Sequence, residues 1–300
     1  LTRWIRGGNG VKKVLVAEIG QSTIVLNAFG DLDNGSPKLL DQVVVPSGGL
    51  GAGSSDSTKI VQTLKKALSL LEEKMGLVQG ADVEVHLVTS LKEEAMNESG
   101  LGDFSFNGGI LTTSEAIQKI LDVLSEEVGD VLILDVGGGA TGIYLMQRHQ
   151  STSIGIGLGV YRGALSIVQR IGEADIESRY GKEWRSLVQP VPKTDKEIAF
   201  GRELISHALQ DTVFEFCAVE ARDLLNLRWV IGTGGALANL PGGMEIIKEA
   251  LTHCREISWP KDGFPVLIDQ DNVLASLGAL TENYRGGAWQ LLLESLGVDS

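Results

Sequence analysis

Apolar residues fall along this chain in two rhythms. Short β-branched runs, VLVAEIG (Val14–Gly20), QVVVPS, VEVHLVTS and VLILDVGGG, predict buried strands, and TIVLNAFGD predicts a hairpin partner for the first. Elsewhere the apolar positions recur at helical spacing. Ile60, Leu64, Leu68, Leu71 and Met75 make one stripe, from about Ser57 to a stop at Gly76. Ile117, Ile120, Leu121, Leu124 and Val128 make another, with Ser114 as the expected N-cap and Gly129 as the stop. GIYLMQR and STSIGIG predict antiparallel partners for the strand that ends at Asp135. Helices are expected near Val160–Ile171, Ile176–Val188 and Asp195–Ala221, and LRWVIGTGGALANL reads as strand, glycine turn, helix. MEIIKEAL and the stretch to Gly297 read as mostly helical. LTRWIRGGNG is expected to be a loose lead-in, and the Gly/Ser-rich Pro46–Ser57 a flexible surface loop.

One internal repeat organises this pattern. LVAEIGQSTIVLNAF aligns with LILDVGGGATGIYLM, placing Glu18 on Asp135 and Gly20 on Gly137. Each copy is strand, acid-x-Gly, tight turn, strand. Two such copies predict a duplicated fold with two facing hairpins. The lobes are expected at 1–130, shortened and carrying the first hairpin, and at 131–300, with the final helix free to return to the first lobe.

The turns carry candidate chemistry. Glycine has no Cβ, so a glycine turn exposes N–H groups to an approaching anion. Gly137, Gly138, Gly139 and Ala140 are candidates to cradle phosphate oxygens, as are Gly20, Gln21, Ser22 and Thr23 in the first hairpin. A carboxylate beside phosphates is repulsive unless a cation lies between, and Mg²⁺ does this, often through water. Glu18 and Asp135 are therefore the candidate Mg²⁺ residues. Gly232, Thr233, Gly234 and Gly235, after a strand and opening a helix, suit a base, a ribose or phosphates. GLGVYRG (Gly157–Gly163) has the wrong spacing for a dinucleotide turn and reads as a helix start.

Composition narrows the classes. A net charge of −13 argues against a nucleic-acid platform. No apolar run approaches the length of a membrane span, and no signal peptide is visible. Cys217 and Cys254 fit either a reduced cytoplasmic protein or a single disulfide. His86, His149, His207 and His253 are scattered without ligand spacing.

Two acid-Gly hairpins and a late strand-GTGG-helix resemble the actin, sugar-kinase and heat-shock-chaperone ATPases. More narrowly, LVAEIG with NAF, LGVYRGALSIVQRIGE, PVPKTDKE, VIGTGGALANLP, VLIDQDNVLASLGAL and LLLESLG resemble the L component of the glutamate mutase system. The resemblance implies an α/β fold of duplicated actin-like (ribonuclease H-like) lobes, mixed sheets flanked by helices, with a nucleotide cleft between them. It also implies ATP or ADP with Mg²⁺ at the first two motifs, adenosine at the third, and lobe movement driven by the nucleotide. The implied partner is an adenosylcobalamin-dependent mutase or aminomutase, and the task is release of damaged cofactor by a reactivating ATPase. Three departures matter. The chain is shortened between its first hairpin and Asp135, Gln21 replaces an expected Ser or Thr, and Ala140 and Gly142 replace a hydroxyl residue and an aspartate. They predict weak hydrolysis. A nucleotide-binding scaffold without turnover and a small-molecule kinase of the same fold remain as alternatives, although no general base for a kinase is identifiable.

Overall fold

The computed structural model describes residues 13–47, 58–75, 83–91, 96, 99–101, 104–219, 223–252 and 257–298. The expected lead-in, nearly all of the Gly/Ser loop and the Gly76 stop lie outside the described residues.

Two five-stranded mixed sheets account for the strands. The first contains β1 (Lys13–Ile19), β2 (Thr23–Gly30), β3 (Lys38–Pro46), β4 (Glu84–Thr89) and β5 (Gly109–Thr112), in the order β3-β2-β1-β4-β5. The second contains β6 (Val131–Val136), β7 (Thr141–Gln147), β8 (Gln150–Ile156), β9 (Trp229–Thr233) and β10 (Val266–Ile268), in the order β10-β9-β6-β7-β8. In each, the first three strands form an antiparallel meander and the last two run parallel to the first. The internal repeat is thus a repeat of topology.

Helices among the described residues include α1 (Thr58–Met75), α2 (Thr113–Glu127), α3 (Ala164–Ile171), α4 (Glu173–Tyr180), α5 (Asp195–Val219), α6 (Gly235–Asn239), α7 (Gly243–Thr252) and α8 (Leu274–Leu296). Two compact units result. One is Leu1–Ile120 with Val273–Glu294 and Val298–Ser300; the other is Leu121–Asn272 with Ser295–Gly297.

Strand alternation decides which side chains enter the cores. In the first unit, Leu15, Ala17, Ile19, Ile24 and Leu26 pack with Ile60, Leu64 and Leu71 of α1. Glu18 and Asn27 therefore stand on the opposite face. In the second, Leu132, Leu134, Val136, Ile143 and Leu145 pack with Ile205, Leu209 and Val213 of α5 and with Ile246 and Ile247 of α7. Asp135 again stands on the opposite face.

Several local expectations need correction. The cap of α2 is Thr112, not Ser114. Thr112 Oγ1 accepts from the Glu115 N–H (3.2 Å), while Glu115 Oε2 accepts from the Thr112 N–H (2.7 Å) and hydroxyl (2.8 Å). This is a reciprocal capping box, worth about 1 kcal/mol. The helix expected from Val160 begins at Ala164, and Ile176–Val188 resolves into α4 and a 3₁₀ turn at Trp184–Leu187. Short β5 and β10 were not expected, being too brief for a periodic signal. Cys217 is buried and disulfide-bonded. Among the described residues, no helix is long and apolar enough to cross a membrane.

Candidate functional site

The turn after β6 closes with the Gly137 N–H donating to Ala140 O at 2.9 Å. Gly137 therefore cannot offer its N–H to an anion. The next two carbonyls are held as well. Gly137 O accepts from Val160 N (3.2 Å), and Gly138 O accepts from Tyr161 N (3.0 Å) and Arg162 N (2.7 Å). In a trans peptide the C=O and the following N–H point in opposite directions. The N–H groups of Gly138 and Gly139 consequently point away from the 157–163 segment. Among the described residues, neither has a hydrogen-bond partner. Gly137–Gly139 do not adopt positive φ, so left-handed backbone is not what this turn asks of them.

The 157–163 segment is a strap across this turn. A Cβ on Gly159 would lie 2.2 Å from the Gly139 carbonyl carbon and 2.4 Å from that of Gly138. A Cβ on Gly163 would lie 2.4 Å from the Gly159 nitrogen. Thr141 Oγ1 anchors the strap by donating to Leu158 O at 2.8 Å. Reading GLGVYRG as a helix start missed this role. Three glycines in seven residues were the available signal of close backbone approach.

Asp135 lies at the end of β6, between Gly142 on β7 and Thr233 on β9. It keeps partial solvent access, yet surrounding protein pushes its pKa up to about 6, through desolvation first and then the charge of Asp269. Among the described residues, no donor bonds its carboxyl. Gly234, at φ +90°, makes room for it: a Cβ there would sit 2.5 Å from Asp135 Oδ1. Asp269 is fully buried, and its oxygens accept from Thr233 Oγ1 (2.7 Å) and Ser295 Oγ (2.6 Å). Asp271 also has a raised pKa, from desolvation and then Asp269. Asp269 was not singled out from sequence, although it ends an apolar run as Asp135 does.

The third motif divides. Gly232 faces the core, where a Cβ would lie 2.4 Å from Ile247 Cδ1, and the hydroxyl of Thr233 is committed to Asp269. Gly235 begins α6, a helix of five residues.

In the first unit, the Gly20 N–H donates to Thr23 O at 3.0 Å, the same closure as in the second. Here Ser47 holds the turn. Its N–H donates to Ser22 O (2.9 Å) and its hydroxyl to Gln21 O (3.1 Å). Ser22 and Gln21 are half-buried, and Thr23 begins β2. Glu18, also half-buried, accepts through Oε1 from the hydroxyl of Ser276. The eight phosphate candidates thus form two turns of one design, one in each unit, each with its acid two residues before the closing glycine.

These carboxylates are hard oxygen donors suited to Mg²⁺. Among the described residues, no group of three or more His, Cys, Asp or Glu is placed to hold a metal ion.

The family model described as MutL protein matches residues 90–296. The chain belongs to the MutL protein family. The match begins after the Glu18 turn and includes the Asp135 turn, the strap, Asp269 and Ser276. Protein MutL of Clostridium tetanomorphum is 24% identical over 254 residues, covering 68% of this chain and 54% of that protein. The chain spans about half the length of that curated relative. Among solved structures, the ethanolamine utilization protein EutJ from Carboxydothermus hydrogenoformans is similar at a TM-score of 0.56 and 17% identity, covering 93% of this chain and 92% of that one. A ROK family glucokinase from Streptomyces griseus, in complex with glucose and AMPPNP, is similar at a TM-score of 0.51 and 13% identity, covering 92% and 99%. This MutL family chain has the actin-like ATPase fold, with duplicated mixed sheets flanked by helices.

Proposed function

We propose that this chain binds ATP or ADP with Mg²⁺ and hydrolyses ATP weakly. In this reading, nucleotide-driven lobe movement acts on an adenosylcobalamin-dependent mutase or aminomutase to release damaged cofactor. One observation carries it: in a single unit, the outward N–H groups of Gly138 and Gly139 lie on a turn that begins beside the crowded acid Asp135. The N–H pair suits phosphate oxygens, and the acid suits a hydrated cation. Bound Mg²⁺ would supply the positive charge that lets carboxylates and phosphates share one site. Gly137 and Ala140 hold the turn shut, and the strap holds its carbonyls. Glu18, Gly20, Gln21, Ser22 and Thr23 are assigned the matching part in the first lobe. Gly232 to Gly235 are assigned to adenosine, through backbone more than side chain. The AMPPNP complex of the glucokinase supports nucleotide binding by this fold. The mutase partner rests on membership of the MutL family.

A scaffold that binds nucleotide without turnover is the second reading. Gly142 favours it, because the position directly opposite Asp135 offers no carboxylate.

Calorimetry with ATP and ADP, with and without Mg²⁺, is the test, alongside thermal unfolding. Ligand at a hundred times its Kd should stabilise the chain by about 2.7 kcal/mol. Asp135→Ala should lower Mg²⁺-dependent affinity about tenfold or more and leave metal-free affinity nearly unchanged. Gly138→Val, once shown to be folded, should weaken both by filling the phosphate space. No binding and no thermal shift at millimolar Mg-ATP or Mg-ADP would overturn the proposal.

A further inference from the structure

A buried polar chain in the first unit ends on Glu18. Asn27 on β2 and Gln42 on β3 are direct cross-strand partners, and Gln42 Nε2 donates to Asn27 Oδ1 at 2.7 Å. That leaves the amide nitrogen of Asn27 as the donor on its other side. It reaches Ser276 Oγ at 2.9 Å and, more weakly, Glu18 Oε1 at 3.5 Å. With its oxygen already accepting, Ser276 turns its single O–H to Glu18 Oε1. The opposite orientation of Asn27 would aim its oxygen at a carboxylate. The charge of Glu18 therefore sets the direction of the whole chain.

The burial of this chain is informative. Asn27 and Ser276 are both 0% exposed, whereas Glu18 keeps partial access. Burying two polar side chains is costly unless their hydrogen bonds are made, and apolar residues would fill the same space more cheaply. Ser276 is 258 residues from Glu18 in sequence, in the first turn of α8. We propose that Ser276 is the positioning residue for Glu18: the relay Gln42→Asn27→Ser276 holds one carboxylate oxygen so that Glu18 presents a set orientation to hydrated Mg²⁺. This rests on the reading of Glu18 as an Mg²⁺-orienting acid.

Two measurements on the full chain test it. The first is a metal-free double-mutant cycle, by urea unfolding in EDTA, with Glu18→Ala and Ser276→Ala. A direct bond predicts coupling of about fivefold or more in the unfolding constant, while strictly additive effects overturn the proposal. The second is ADP affinity with and without Mg²⁺. Ser276→Ala should cut the Mg²⁺ enhancement about tenfold, as Glu18→Gln does, with metal-free affinity within about twofold of wild type. Ser276→Thr keeps the hydroxyl and should restore most of the enhancement. Should the added methyl unfold that variant, Asn27→Asp, nearly isosteric but lacking the amide donor, should reproduce the Ser276→Ala loss. If Glu18→Gln loses the enhancement and Ser276→Ala keeps it, Ser276 is structural only and the proposal falls. If wild-type protein binds no ADP under either condition, the nucleotide reading itself falls, and the role given to Ser276 goes with it.

Discussion

The turns at Gly20 and Gly137 close with the same bond, 3.0 and 2.9 Å long, yet their acids keep opposite company. Glu18 sits at the end of a line of donors, supplied by Ser276 and behind it Asn27 and Gln42. Asp135 has no such donor among the described residues and faces a second acid, Asp269, which takes the hydroxyls of Thr233 and Ser295. Even the support of the turn differs. Among the described residues, Ser47 supplies the bonds to the first, whereas three successive backbone N–H groups of a glycine strap hold the second. One backbone design thus carries one acid supplied with donors by the protein and one crowded by burial and a second acid. The difference places the larger electrostatic crowding at Asp135, in the second unit.

The largest expected effect concerns the strap. Gly159→Ala forces a Cβ into backbone that cannot yield, so it should destabilise the chain by about 3 kcal/mol or more. Ser47→Ala removes one hydroxyl bond and should cost about 1 kcal/mol. Urea unfolding of both variants measures the contrast, and equal costs would break it.

Asp135→Asn should sharpen the comparison through pH. The folded pKa of Asp135 is raised, so between about pH 4 and 6 the folded state holds more protons than the unfolded state. Stability contributed by this group therefore falls as pH rises through that window. Asparagine removes the penalty. In EDTA, the variant should be more stable than wild type at pH 7, by about 1–3 kcal/mol, and indistinguishable near pH 3. Mg²⁺ with ADP should favour wild type again. A variant less stable than wild type at pH 7 without metal would mean that Asp135 is satisfied by the protein after all.

The smallest expected effect concerns Gly142, which faces Asp135 across the ladder. Gly142→Asp should raise steady-state phosphate release about tenfold while changing nucleotide affinity less, if a missing carboxylate limits turnover. The new side chain would meet the Tyr144 ring at 3.0 Å, so folding is checked first. Wild-type turnover of tens per second, unaided, would show that another residue already supplies the function.

Much of this architecture was legible before any coordinates. Glu18 and Asp135 stood out because a strand, an acid and a glycine turn recur at matched positions, and the structure gives both the same closure. The capping box at Thr112 and Glu115 was legible too, had the glutamate three residues on been weighed against Ser114. The strap was not, since GLGVYRG names a need for close approach without naming the partner. Nor was Asp269, whose effect on Asp135 depends on β9 pairing with β6 and β10 pairing with β9. For Gly232 and Thr233, expected to line adenosine, the structure adds that a Cβ on the glycine would meet Ile247 and that the threonine hydroxyl bonds Asp269.

The sequence by itself determined the longer strands, the two acid-glycine turns and the faces on which the acids stand. Periodicity, glycine and capping act over a few residues, and their physics is carried by neighbours in the chain. Only the tertiary structure decided what each acid experiences. Desolvation, like-charge repulsion and hydrogen-bond supply depend on distance in space, and here they come from residues as remote in sequence as Ser276 is from Glu18.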